Sequence, residues 1–144
     1  MKVAFLTSGG IAPCLTASIA RMIKKYSQLD TKAELIGYLH GYKGLLTGNS
    51  VNIPLKLAEQ TNIMYGYGGT FLGNSRVKLT NVEDCIKNKY ITKGETPLQV
   101  AANQLMKDKV DILHTIGGDD TNTTAADLVK YLKNNNYNLT VVGI

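Results

Sequence analysis

Twice in this chain a short apolar run halts at a pair of glycines and gives way to a helical pattern, and no other feature restricts the fold as much. Near the N-terminus, Val3 to Thr7 runs into Ser8-Gly9-Gly10. A stripe then follows at helical spacing: Leu15, Ile19, Met22, Ile23 and Tyr26. Later, Val110 to Ile116 stops at Gly117-Gly118-Asp119-Asp120, and Ala125, Leu128, Val129 and Leu132 recur at i, i+3, i+4 and i+7. Short apolar runs without polar alternation are expected of strands buried on both faces of a parallel sheet. Strand, glycine turn and helix in succession predict an α/β fold, a doubly wound, Rossmann-like and mostly parallel sheet. Ligands bind such sheets at the carboxyl ends of the strands, where both glycine pairs fall.

The second turn carries the more specific chemistry. A helix N-terminus offers unpaired N–H groups, which favour an anion, and Asp119 and Asp120 beside them favour a cation. A phosphate bound with Mg2+ satisfies both, because that ion keeps several waters and takes only one or two protein carboxylates. The plainer alternative is a helix capped by Asp120 or Thr121, with the glycines serving only the turn. The first turn matches neither G-x-G-x-x-G nor the Walker A pattern. A third glycine-rich stretch, Gly66 to Arg76, places Gly68 and Gly73 at P-loop spacing, but Asn74 stands where a lysine is needed. Such a loop either folds over a phosphate, with the Arg76 guanidinium as a fixed charge, or is a surface loop.

Elsewhere, Ala33 to Leu39 reads as a strand and Gly41 to Leu46 as a turn-rich segment with a short helix. Pro54 to Ile63 reads as one helix. Asn81 to Lys89 reads as a helix capped by Asn81, with Val82, Cys85 and Ile86 inward. Another opens at Thr96-Pro97 with Leu98, Ala101, Ala102, Leu105 and Met106 inside. Leu139 to Val142 reads as the last strand. The 144 residues suffice for one domain with a sizeable core. Cys14 and Cys85 form no framework and read as reduced, structural thiols. No apolar run approaches the roughly 18–20 residues of a membrane span, and the opening residues lack a signal-peptide pattern, so the cytoplasm is the expected location. The net charge of +5 suits an anionic small substrate, and no basic run interleaved with aromatics points to nucleic acid.

Four segments in order carry a resemblance. Thr7-Ser8-Gly9-Gly10-Ile11-Ala12-Pro13-Cys14, Gly41-Tyr42-Lys43-Gly44-Leu45, Gly69-Thr70-Phe71-Leu72-Gly73-Asn74-Ser75-Arg76 and Gly117-Gly118-Asp119-Asp120-Thr121 together resemble the phosphofructokinase family, most nearly its pyrophosphate-dependent branch. The resemblance covers the whole chain and implies Mg2+-dependent phosphoryl transfer from diphosphate to fructose 6-phosphate. It implies that Gly9, Gly10, Gly118 and Thr121 hold diphosphate and that Asp119 holds Mg2+, directly or through water. It further implies that Arg76 neutralises charge on the transferred group. Asp120 stands where ATP-using members carry glycine, and so implies exclusion of a nucleotide. Family members continue with a Pro-Lys-Thr-Ile-Asp-Asn-Asp run that supplies the base and a lysine partner for the Asp120 position. By that likeness residues 1–144 are an N-terminal donor-phosphate-binding domain, truncated before the base loop and sugar-phosphate site, inactive alone and homodimeric when complete. An ATP-dependent member and a non-catalytic phosphate-binding module are the alternatives.

Overall fold

The computed structural model describes residues 1–144. Five strands form one sheet: β1 Lys2–Ser8, β2 Glu34–Tyr38, β3 Ser50–Ile53, β4 Ile112–Gly117 and β5 Thr140–Gly143. Their order is β3-β2-β1-β4-β5, parallel throughout except for β3, which runs antiparallel on the edge of β2. From β1 the chain winds outward to β2 on one side and, later, from β4 to β5 on the other. The crevice between β1 and β4 is therefore the point where the strand order reverses. Register places Ser8 opposite Gly117, which brings the two glycine turns side by side at the carboxyl edge.

The helices are α1 Leu15–Leu29, α2 Tyr42–Thr47, α3 Thr61–Tyr65, α4 Val82–Lys87, α5 Pro97–Lys107 and α6 Asp119–Asn134. On one face Val3 and Phe5 of β1 pack with Leu15, Ile19 and Ile23 of α1. On the other, Ala4 and Leu6 pack with Tyr42, Leu45, Leu105, Leu128 and Leu132 from α2, α5 and α6. Alternate residues of one strand thus feed opposite cores, which is why β1 shows no polar alternation. No helix is long and apolar enough to cross a membrane.

Several expectations need correction. Pro54 to Ile63 is not one α-helix: a 3-10 helix Leu55–Gln60 is followed by the short α3. No residue of the 3-10 segment is fully buried, although Leu55, Leu57 and Ala58 pack half-buried against the same core as α1. The strand β3 went unrecognised because only Ile53 of its four residues is buried. Val82 and Met106 face outward, at 37% and 49% exposure, one at the first position of a short helix and the other in the last turn of α5. Asn81 does cap α4, accepting a hydrogen bond from the Asp84 N–H, and Thr96 caps α5 in the same way through Gln99.

Candidate functional site

At the carboxyl edge, between β1 and β4, lies a cavity of about 450 Å3. Ser8, Gly9 and Gly10 form one wall, Arg76, Val77 and Lys78 a second, and Gly118, Asp119, Asp120 and Thr121 a third; Tyr42 and Thr124 complete it. Every residue proposed from the sequence as a site residue is therefore present: Gly9, Gly10, Arg76, Gly118, Asp119, Asp120 and Thr121.

The first wall is shaped by its backbone. Gly9 has φ +85, a conformation that side-chain-bearing residues rarely adopt, and a Cβ there would approach the Thr121 hydroxyl at 3.2 Å. The Gly9 N–H donates to the Ser75 carbonyl at 2.9 Å, whereas the N–H groups of Gly10 and Ile11 have no hydrogen-bond partner. At Gly10 a Cβ would meet no protein atom within 4 Å, so nothing in the packing of the protein itself requires glycine there.

The third wall is the start of α6. Gly118 is its N-cap, and no side chain caps it. This excludes the reading of Asp120 or Thr121 as a capping residue, since both lie inside the first turn. The Gly118 N–H has no partner, and the following first-turn N–H groups have no carbonyl within the helix to reach. The positive end of α6 thus opens onto the cavity beside two exposed carboxylates, Asp119 and Asp120. Gly117 is required by packing: a Cβ would collide with the Ser8 carbonyl and meet the Thr121 side chain at 2.5–2.9 Å. Thr121 is 2% exposed, so its contribution is the wedge that joins the two turns as well as a hydroxyl on the wall. Behind it the Tyr42 hydroxyl donates to the Thr121 carbonyl at 2.9 Å. Burial pushes the Tyr42 phenol far above its usual range, which keeps it a neutral donor.

Between these walls the 70s segment is tied to the first turn. The Thr7 hydroxyl meets the Thr70 hydroxyl at 2.8 Å and donates to the Gly73 carbonyl at 3.0 Å. Ser8 Oγ donates to the Ser75 carbonyl, and Ser75 Oγ to the His40 carbonyl. Asn74 Nδ2 donates to the carbonyls of Gly9 at 3.3 Å and Gly10 at 3.0 Å. The part of the glycine-rich stretch from Thr70 to Ser75 is therefore a brace for the first turn, while Gly66, Tyr67 and Gly68 are exposed. Arg76 leaves it on the cavity side and enters none of the chain's ion pairs. Two contributions escaped sequence reasoning. Asn74 registered only as a missing lysine, and Lys78, whose Nζ lies 3.1 Å from Asp120 Oδ2, gave no signal among the other lysines.

A cation fits the donor set in number, two adjacent carboxylates, which is what Mg2+ takes from a protein when phosphate oxygens and water fill its other positions. No group of three or more His, Cys, Asp or Glu side chains is present to build an all-protein metal cage.

The phosphofructokinase family model matches residues 2–144. The chain belongs to the phosphofructokinase family. Among curated relatives it is 54% identical to the pyrophosphate–fructose 6-phosphate 1-phosphotransferase of Methylomonas methanica. It is 52% identical to the enzyme of that name from Propionibacterium freudenreichii. Both matches run over 143 residues and cover 99% of this chain but 35% of the relative, so the chain spans about a third of the length of these family members. The crystal structure of a pyrophosphate-dependent phosphofructokinase from Nitrosospira multiformis superposes with a TM-score of 0.78 at 14% identity, covering 99% of this chain and 33% of that one. At that identity the likeness shows the fold alone.

Proposed function

We propose that this chain is the donor-phosphate side of a pyrophosphate-dependent 6-phosphofructokinase. The reaction is reversible transfer of a phosphoryl group from diphosphate to the 1-hydroxyl of fructose 6-phosphate, giving fructose 1,6-bisphosphate. The observation that carries the reading is the carboxylate of Asp120 inside the cavity shared with Gly10. A nucleotide seated with its terminal phosphate at Gly10 would bring its inner phosphate against that acid. Unscreened like charges at about 4 Å cost roughly 1 kcal/mol in water and about 4 kcal/mol at a near-surface dielectric. Asp120 is mostly exposed and paired with Lys78, so repulsion acts at the lower end of that range and the bulk of the side chain supplies the rest of the discrimination. The similarity to named pyrophosphate-dependent relatives supports the same donor.

In the reaction the bond from the terminal phosphorus to the bridging oxygen breaks and a bond to the sugar oxygen forms. Inorganic phosphate leaves, and the hydroxyl proton goes to a base. The unpaired N–H groups of Gly10 and Gly118 and the start of α6 hold the donor's oxygens, and Gly10 allows the backbone to approach closely. Arg76 faces the transferred group and offsets the charge that develops on it. Asp119 would hold Mg2+, and the ion would supply screening of the diphosphate charge. The family resemblance assigns the base and the sugar contacts to parts of the fold outside residues 1–144, and it implies a homodimer.

Calorimetric titration tests this. Magnesium diphosphate should bind the 144-residue chain at least about tenfold more tightly than magnesium ATP, about 1.4 kcal/mol. Equal affinity for the two overturns the donor assignment, and fructose 1,6-bisphosphate formation by this chain at a complete relative's rate overturns the division of labour.

A further inference from the structure

If the cavity holds diphosphate, Asp120 creates an electrostatic problem, and the inference that follows rests on that reading. A carboxylate facing a polyanion repels it whether or not a nucleoside is attached. A bare Asp120 would therefore weaken the preferred donor along with the rejected one.

The structure supplies a counter-charge from an unexpected place. Lys78 Nζ lies 3.1 Å from Asp120 Oδ2, and both residues line the cavity with Arg76 and Gly10. The segment that carries Lys78 is firmly placed. Leu79 is 1% exposed and Val77 packs partly on the same core while also reaching the cavity wall, and Arg76 and Lys78 both line the cavity. The Lys78 carbonyl accepts from the Asn81 N–H at 3.2 Å, which fixes the backbone from the other direction. The side chains of Lys78 and Asp120 are 48% and 77% exposed. An ion pair this open contributes little to folding stability, so holding the fold together does not account for it.

We propose that Lys78 is a counter-ion, separate from the lysine that the family resemblance expects outside residues 1–144, that helps Asp120 to stand beside diphosphate. The pair cancels the carboxylate's charge toward the donor and holds the side chain over the first turn of α6. Its bulk stays where a longer donor would pass. Lys78 is thus a positioning and donor-specificity residue that acts through Asp120.

A double-mutant cycle tests this on the 144-residue chain, with magnesium diphosphate as the calorimetric probe. Lys78→Met should weaken binding roughly 10- to 100-fold, the loss expected when a charge-assisted contact is removed. Lys78→Arg should restore it to within a few-fold, because the charge is kept. In an Asp120→Asn background the same Lys78→Met change should weaken binding less than about threefold, since there is no carboxylate left to neutralise. Thermal unfolding should show the same midpoint for all four variants within the small effect of an exposed pair, which separates binding from folding. Equal losses in both backgrounds, or no loss in either, overturn the role assigned to Lys78. Failure of the unsubstituted chain to bind magnesium diphosphate overturns the diphosphate reading of the cavity and this inference with it, and that outcome is read on the parent chain alone.

Discussion

At the end of β4, Gly117 is wedged against the Ser8 carbonyl and the Thr121 side chain; just past β1, Gly10 looks into open space with its N–H unpaired. The two turns lie side by side at one edge of one sheet, and in each the first glycine, Gly9 or Gly117, is constrained by the protein itself while the second, Gly10 or Gly118, faces open space. At Gly117 the protein itself fills the room a side chain would need. At Gly10 the room is free until a ligand arrives. The turns differ in what holds them. The first is braced by hydrogen bonds from Asn74, Ser8 and Gly9 to and from a distant loop, whereas the second runs directly into α6 and leaves that helix uncapped.

The widest separation between the two glycine positions should appear when each receives the same side chain. Gly117→Val should destabilise the chain by about 3 kcal/mol, as overpacking against backbone does, read as a fall in the urea midpoint. A loss under about 0.5 kcal/mol would break the contrast. Gly10→Val should leave that midpoint within about 0.5 kcal/mol of the parent yet weaken magnesium diphosphate binding at least about tenfold; parent-like binding would remove the ligand from the argument. Asn74→Ala should cost about 1 kcal/mol, the net worth of its hydrogen bonds to the first turn. It should leave the second turn untouched, which amide hydrogen exchange at Gly118 and Asp119 would report.

The smallest effect concerns the strands beneath the turns. His114 of β4 stacks on Phe5 of β1 with ring centroids 5.4 Å apart, its Nε2 lies 2.7 Å from the Tyr26 hydroxyl, and its Nδ1 has no partner. Burial lowers its pKa below the ordinary value of about 6.5. As the pH falls, the unfolded chain therefore takes up the proton before the folded one. The associated stability is complete above the unfolded value and is lost on acidification toward the folded value. Denaturant unfolding at about pH 7.5 and about pH 5.5 should show less stability at the lower pH, and His114→Gln should flatten that slope. An unchanged slope would mean that other groups govern the acid limb.

What the sequence disclosed and what it withheld follow from range. β1, β4 and their helices were legible because an apolar run broken by glycine is a local signal, and the stripe of α6 repeats within a few turns. Asp119 and Asp120 were legible because they are adjacent. β3 was not, since an edge strand with one buried residue has no pattern to show. The brace formed by Asn74 and the pairing of Lys78 with Asp120 depend on side chains that meet only after the sheet has assembled. No spacing rule reaches that far along a chain. The place where the strand order turns, by contrast, followed from topology alone.

The phenol of Tyr42 crosses from α2, beyond β2, to the opening carbonyls of α6, beyond β4, and so straddles the strand between them. One rigid ring therefore acts as a gauge block for the crevice. Its length fixes how far apart the two flanks stand, and neither flank can swing outward without dragging the acidic turn along or leaving a hydroxyl stranded in the interior.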